Sequence, residues 1–233
     1  MKQGLSELVF ILDRSGSMSG LEKETIGGFN GMIEKQRSEE GEAYVTTVLF
    51  DNEYLLLHDH IAIADVEKLT ARDYYPRGST ALLDAVGRTI NMIGARLAAT
   101  EESERPEQVI VVIVTDGYEN SSHEFTKQKV KDMIEHQQSK YSWTFMFLGA
   151  NMDAVSEAGS LGIHSHFSKT YTQSSAGLDS VYASVSMSMS AMRNYSSVDV
   201  SEDEAMNLTA AEVTELKKSK ARQAASTALD HVE

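Results

Sequence analysis

The chain has 233 residues, of which 41% are hydrophobic and 24% charged, a composition typical of a soluble globular protein with a substantial core. Its formal net charge of -14 disfavours nucleic acid and anionic membranes as partners, because both attract cationic surfaces. The sequence has no cysteine, which excludes disulfides and thiolate metal sites. The first apolar run, residues 8–12, is too short for a signal peptide or a membrane span, so we expect a cytoplasmic protein.

The first part of the chain alternates apolar runs with one helical pattern. Residues 5–12 predict a buried strand, and apolar residues at three- and four-residue steps predict a helix over residues 21–37. Residues 43–50 and 53–58 predict two strands joined by the turn signal Asp51-Asn52. A hairpin of this kind makes one of its strands antiparallel to the rest, at an edge of the sheet.

The rest of the chain up to residue 194 continues the alternation. The predicted elements are a loop at 75–80, a helix with an apolar face at 83–97, a β-branched central strand at 109–114, a polar helix at 124–138, a strand at 141–148, a short helix at 152–158, a short edge strand at 164–168 and an amphipathic helix at 178–192. Strands that alternate with helices predict an α/β fold: a doubly wound, mostly parallel, Rossmann-like sheet with one antiparallel edge strand and helices on both faces.

Composition changes near residue 195. We predict one domain over residues 1–194, followed over residues 195–233 by an acidic linker and a C-terminal helix at about 209–229. This helix has acidic residues early and basic residues late, which suits the helix dipole, but it lacks a strong apolar face. We therefore expect it to be loosely held.

A group of oxygen-bearing side chains follows the first strand directly. Asp13, Ser15 and Ser17 stand on alternate residues, so their side chains can point to the same side, and Gly16 relaxes the backbone between the serines. Hydroxyl and carboxylate oxygens suit magnesium, manganese or calcium. Taken alone, the stretch is equally consistent with an ordinary turn, which Asp and Ser also favour.

Two further residues complete a known pattern. Thr80 stands in Gly-Ser-Thr at the start of a helix, and Asp116 stands in Thr-Asp-Gly after the central strand. In a doubly wound sheet, ligands bind at the carboxyl ends of the strands, where all these residues are expected. Together with Asp13, Ser15 and Ser17, they resemble the metal-ion-dependent adhesion site (MIDAS) of von Willebrand factor type A (VWA) domains. The resemblance in organisation covers about residues 4–194.

The resemblance implies a role for each of the five residues. Ser15 and Ser17 would bind a divalent cation through their hydroxyls, Thr80 directly or through water, and Asp13 and Asp116 largely through bridging waters. We expect Mg²⁺, with Ca²⁺ or Mn²⁺ as alternatives. Neutral ligands would leave the ion electron-poor, with one position open for a Glu or Asp supplied by a partner protein.

Residues close to the motifs are candidates for accessory roles. We expect Arg14 on the rim of the site or in ordinary packing. Glu119 and His123 are candidate bases, although solvated loop residues are the commoner outcome. Asp84 either accepts hydrogen bonds from loop amides or favours the helix start electrostatically.

The leading functional prediction is a metal-dependent protein-protein interaction module that is not an enzyme. By resemblance, stand-alone bacterial cytoplasmic VWA proteins, including tellurite-resistance-like ones, serve as adaptors or assembly factors. The alternative is a metal-assisted hydrolase using the same ion. The chain lacks the Gly-x-Ser-x-Gly, P-loop and Gly-x-Gly-x-x-Gly motifs, which speaks against that alternative. The acidic run 199–204 or Glu233 is a candidate surrogate ligand for self-association, with a solvated extension as the simpler interpretation.

Overall fold

The computed structural model describes residues 1–150, 152–206 and 208–230. One six-stranded sheet has the order β3-β2-β1-β4-β5-β6. Its strands are β1 (Lys2–Asp13), β2 (Glu42–Phe50), β3 (Tyr54–Ala62), β4 (Pro106–Thr115), β5 (Thr144–Ala150) and β6 (Ser168–Tyr171). Neighbouring strands are parallel except for the β2–β3 hairpin, which places β3 antiparallel at one edge. This confirms the predicted fold class.

Helices cover both faces of the sheet. They are α1 (Glu22–Arg37), α2 (Leu82–Ala99), α3 (Lys127–Tyr141), α4 (Ala154–Ser160), α5 (Ser175–Arg193), α6 (Glu202–Ala205) and α7 (Ala210–Asp230). Apolar side chains of α1, α5 and α7 form one core with one face of the sheet, and those of α2, α3 and α4 form a second core with the other face. Among the described residues, no helix is long and apolar enough to span a membrane.

The two central strands of the sheet, β1 and β4, are buried on both faces. Residues 8–12 and 110–114 are at most 1% exposed, because both faces of these strands are covered. Their register pairs Leu12 with Val114. The residues that follow the two apolar runs therefore leave the sheet side by side, which sets the geometry of the site described below.

Two predicted strands are displaced in the structure. Helix α3 continues to Tyr141 and ends at Ser142, whose left-handed backbone (φ 56°) lets Trp143 bond back to the carbonyl of Gln137, so β5 begins later than predicted. The last strand was expected at 164–168, but residues 165–167 form a 3₁₀ turn that buries Phe167. Strand β6 follows this turn, which shifts the start of the next loop.

The C-terminal segment contains α6 and α7. Helix α7 packs on α5 through small side chains, with Ala221, Ala225 and Leu229 buried. The buried Ser188 hydroxyl of α5 donates a 2.7 Å hydrogen bond to the Ala225 carbonyl. A stripe of alanines gives a weak apolar signal in sequence but permits close helix contact. The domain boundary at residue 194 and the loose attachment of α7 in solution stay predictions.

Close packing of α1 on α5 depends on Gly28. A Cβ at this position would lie 2.3 Å from the ring of Tyr182, a buried side chain on α5. We expect Gly28→Ala to lower the free energy of unfolding by about 1–3 kcal/mol, because the ring must move in a packed core. Chemical denaturation measures the change.

Gly31 provides the matched control in the same helix, since a Cβ there would meet nothing within 4 Å. Gly31→Ala is expected to raise stability by roughly 0.5–1 kcal/mol, the usual gain from replacing a helical glycine. Equal effects of the two substitutions would contradict the packing argument.

Candidate metal centre

The candidate site lies at the carboxyl edge of the sheet, where the chain order reverses. From β1 the chain passes to β2 on one side, while β4 lies on the other side, so a crevice opens above the β1–β4 pair. Asp13 ends β1, and Asp116 follows the last residue of β4. Both carboxylates therefore stand at the place where doubly wound folds bind ligands.

The loop after β1 brings its three predicted residues together. The Asp13 carboxylate accepts a 2.6 Å hydrogen bond from the Ser15 amide, which turns the chain so that the Ser15 and Ser17 hydroxyl oxygens lie 3.0 Å apart. Residues 16–18 form a 3₁₀ turn. Asp13 and Ser15 are 1% exposed, whereas Ser17 faces solvent. The hydroxyl pair thus reaches from the protein interior to the surface.

The other two predicted residues join this loop from separate elements. Ser17 donates a 2.5 Å hydrogen bond to Asp116. Thr80, buried at the mouth of α2, lies close to the same point, since a Cβ on Gly117 would be 2.8 Å from the Thr80 hydroxyl oxygen and 3.5 Å from that of Ser17. The glycine in Thr-Asp-Gly is therefore required for close approach. All five predicted residues lie together at one edge; that they bind a metal stays a prediction.

The charges at this edge are not balanced by the protein. Burial, the larger cause, and the Asp116 charge together raise the pKa of Asp13 to about 6, against the opposing effect of the Thr115 and Ser15 hydrogen bonds. Burial also raises the pKa of Asp116. Neither carboxylate forms a salt bridge within the described part of the chain. Two carboxylates and three hydroxyls without a basic side chain fit a hard divalent cation.

The donor set also differs from that of a soft-metal site. Across residues 1–150, 152–206 and 208–230, no group of three or more His, Cys, Asp or Glu could hold a metal ion. Hydroxyls therefore have to supply part of any coordination shell here. Such a shell suits magnesium, calcium or manganese better than zinc.

A buried ion pair supports the loop from below. Arg14, between two candidate ligands, is 2% exposed, and its Nε lies 3.0 Å from a carboxylate oxygen of the fully buried Asp51. The same oxygen accepts a 2.8 Å hydrogen bond from Arg77, and the Asp51 carbonyl accepts one from the Ala81 amide. Arg14 is thus not on the rim. It ties the loop after β1 to the loop that carries Thr80.

Two of the residues considered as accessory groups, Asp84 and Glu119, are structural braces, whereas His123 is exposed and contributes its backbone amide to Asp84. Asp84 accepts hydrogen bonds from three successive loop amides, those of residues 123–125, and these bonds lower its pKa despite partial burial. Glu119 accepts hydrogen bonds from the amides of Leu83, Ser121 and Ser122. A carboxylate held by several donors is a weak candidate for a general base.

Sequence reasoning missed Gln173, which lies in the loop after β6. Its side-chain amide donates hydrogen bonds to Asp116 (2.7 Å) and to the Ser17 carbonyl (2.8 Å), so it bridges two candidate ligand loops. The sequence offered one signal for Gln173, its position after the last strand, because a loop after a parallel strand lies at the carboxyl edge of the sheet. Because the last strand was predicted at 164–168, before the observed β6, the prediction did not place Gln173 at this edge.

Gln173→Glu is expected to tighten Mg²⁺ binding and to destabilise the metal-free protein. A third carboxylate within reach of Asp116 attracts the ion but repels its neighbour when no ion is present. Calorimetric titration with Mg²⁺ and thermal unfolding in EDTA measure the two effects, each about 1 kcal/mol for partly exposed charges.

Gln223→Glu, on the exposed surface of α7, adds the same charge far from the site. It should leave both quantities unchanged. A matching response in the two variants would mean that only the overall charge matters.

Solved structures of several other proteins share the fold of this chain. The chain matches no family model and no curated protein sequence. Proximal thread matrix protein 1 from mussel byssus, solved with a zinc-occupied MIDAS motif, is 18% identical with a TM-score of 0.53, and the alignment covers 78% of this chain and 44% of that one. A VWA protein from Catenulispora acidiphila is 15% identical (TM-score 0.54, covering 81% and 42%). Manganese-loaded TRAP from Plasmodium vivax is 16% identical (TM-score 0.53, covering 74% and 70%).

These likenesses identify the architecture as that of VWA domains. At 15–18% identity they show the fold alone. The chain spans less than half the length of the mussel and Catenulispora proteins. The activities and partners of those larger proteins are therefore considered for this chain only as proposals.

Proposed function

We propose that this chain is a metal-dependent protein-interaction module, which binds an acidic residue of a partner protein through a divalent cation held by Asp13, Ser15, Ser17, Thr80 and Asp116. The observation that carries the proposal is the convergence of these five side chains without a basic counter-charge. A cation held partly by neutral hydroxyls keeps a strong attraction for one more carboxylate. Two neighbours with the same fold, solved with zinc in a MIDAS motif and with manganese, support the choice of a divalent cation.

The surface around the candidate ion supports binding rather than catalysis. Ser17 and Tyr118 are exposed beside buried ligands, so a partner can approach the open side of the ion. Exposed tyrosines are frequent at protein interfaces. Glu119, considered above as a base, is occupied as a loop brace. With the resemblance given in the sequence analysis, we propose an adaptor or assembly factor of a bacterial cytoplasmic system, not an enzyme.

A pull-down from the native host tests this function. Wild-type protein should capture a partner in Mg²⁺ and release it in EDTA, and Ser15→Ala/Ser17→Ala should capture nothing in either condition. Ser139→Ala/Ser219→Ala removes two exposed hydroxyls elsewhere and should behave as wild type. Partners retained by the Ser15→Ala/Ser17→Ala protein in EDTA would overturn the proposal.

The same protein allows the metal to be identified. We propose Mg²⁺, since the site has two carboxylates and magnesium keeps several waters in such sites. Competition between Mg²⁺, Ca²⁺ and Mn²⁺ in calorimetry, at their cellular concentrations, tests this. If the site preferred Ca²⁺ or Mn²⁺, the proposed identity of the ion would be wrong, but the proposal of metal-dependent partner binding would remain.

Self-association through the acidic segment is a separate proposal about the partner. Residues of this segment lie beside α7: Glu204 accepts a 2.8 Å hydrogen bond from Lys220, which together with Ser201 lowers its pKa to about 2. Glu233 lies outside the described residues. We propose that the remaining acids of the run, Asp199, Glu202 and Asp203, act as ligands for the ion of a second copy.

Sedimentation in Mg²⁺ and in EDTA tests this second proposal. Dimerisation that requires Mg²⁺ and is lost in Asp199→Asn/Glu202→Gln/Asp203→Asn would support it. A monomer in both conditions would exclude it, while leaving heterologous partner binding intact.

A further inference from the structure

A second site candidate lies at the opposite end of the sheet from the metal centre. It is a cleft of about 680 Å³, within the range of small-molecule sites. Its walls come from the amino ends of β4 and β5, the last turns of α2 and α3, and one side of α7. The candidate metal ligands are at the carboxyl ends of the strands, so the two sites share no residue.

The cleft has a slight excess of positive charge in a protein that is otherwise strongly acidic. Four cations and three carboxylates line it, in a chain of net charge -14. Lys218 lies 3.0 Å from Glu107 and 3.1 Å from Glu215, so it accounts for two of these carboxylates. The other three cations, Arg105, Lys140 and Arg222, have no carboxylate partner in the described part of the chain.

Two of these cations, Arg105 and Arg222, are held in place and still retain donors for a ligand. Arg105 donates through Nε to the carbonyl of Thr100 (2.8 Å), and Arg222 donates through Nη2 to that of Ser142 (2.7 Å). A guanidinium has five N–H groups, so both keep several while their positions are fixed. Backbone carbonyls hold the side chains in place without neutralising their charge, which leaves the positive potential for an anion.

Aromatic side chains lie beside the cations. Tyr141 is 53% exposed, and its ring centroid lies 5.7 Å from that of His136 and 5.5 Å from the Lys140 ammonium. Trp143 forms part of the wall and is 5% exposed. An exposed ring next to a cation, as Tyr141 is next to Lys140, is suited to a planar group that carries a negative charge.

We propose that this cleft binds a small organic anion with a planar ring. The ring lies against Tyr141 and His136, and Arg105, Lys140 and Arg222 hold its anionic group. Since Arg222 belongs to α7 and the other two cations do not, an occupied cleft fastens α7 to the rest of the molecule. This ligand site is independent of the metal-dependent binding proposed above.

Trp143, the single tryptophan of the chain, allows a direct test. Anilinonaphthalene sulfonate, an aromatic anion, is the probe; its binding should saturate, quench Trp143 and give energy transfer from it. Phenylnaphthylamine, the analogue without the sulfonate, should bind much more weakly. Equal binding of the two probes, or no saturable energy transfer, would overturn the proposal.

Charge substitutions then locate the anionic group. Lys140→Gln and Arg222→Gln should each weaken probe binding by about fivefold, the effect of one partly exposed charge. Lys129→Gln, on an exposed face of the same helix as Lys140, should leave it unchanged, as should Asp116→Ala. Lys140 is itself exposed, so its loss does not threaten the fold. Unchanged binding in both cleft variants would exclude this site.

Discussion

Asp13→Asn is expected to abolish the stabilisation of the fold by Mg²⁺ while leaving the metal-free protein at least as stable as the wild type. Asp13 is 1% exposed, and both its burial and the nearby Asp116 charge disfavour its ionised form. Asparagine keeps an oxygen that can accept the hydrogen bond from the Ser15 amide, and its NH2 group can donate to the Thr115 hydroxyl, which donates to Asp13 in the wild type, but it carries no charge. In EDTA, the substitution therefore removes the unfavourable free energy of a buried negative charge. In Mg²⁺, it removes a negative charge that would balance the charge of the ion.

Thermal unfolding in EDTA and in excess Mg²⁺ measures both effects. At a free Mg²⁺ concentration of roughly 100 times the Kd, the wild type should gain about 2.7 kcal/mol by mass action, and Asp13→Asn should gain almost nothing. Asp179→Asn, which removes an exposed carboxylate from α5, should gain as much as the wild type. A full Mg²⁺ shift in Asp13→Asn would mean that this carboxylate does not serve the ion.

The sheet and the candidate ligands were predictable because each depends on local signals. The continuous apolar runs at 8–12 and 109–114 specify central parallel strands, since only strands covered on both faces tolerate them. Once these two strands are adjacent, the residues that follow them must meet at one edge. The positions of Asp13 and Asp116 thus follow from the fold class, and the structure brings Ser15, Ser17 and Thr80 to the same edge.

What the sequence did not reveal depends on contacts between distant segments. The pairing of Arg14 with Asp51 joins two strand ends, and nothing near Arg14 in sequence distinguishes a buried arginine from an exposed one. Gln173 reaches Asp116 only because a 3₁₀ turn delays β6. Helix α7 packs through alanines, which carry little hydrophobic signal but allow close approach. In each case, tertiary geometry and not composition decides the role of the residue.

Asp51→Ala is expected to cost about 3–5 kcal/mol of stability, because it leaves the charge of Arg14 buried without a partner. The Asp51 side chain is 0% exposed and that of Arg14 is 2% exposed. Arg14 lies between Asp13 and Ser15, so movement of its side chain should also displace the candidate ligands. Weaker Mg²⁺ binding should therefore accompany the loss of stability, measured by calorimetry at a temperature where the variant is folded.

Two further variants separate the buried charge from a general loss of contacts. Arg77→Ala removes the other partner of the same Asp51 oxygen, but the Arg77 side chain is 39% exposed and its charge stays hydrated, so its loss should cost much less stability than Asp51→Ala. Arg14→Met/Asp51→Ala removes both buried charges and should be more stable than Asp51→Ala alone, because no ion remains uncompensated in the interior. If the double variant were less stable than Asp51→Ala, packing rather than charge would be the main contribution of Arg14. The support of the ligand loop would then be steric, and Mg²⁺ affinity would follow the volume of residue 14 instead of its charge.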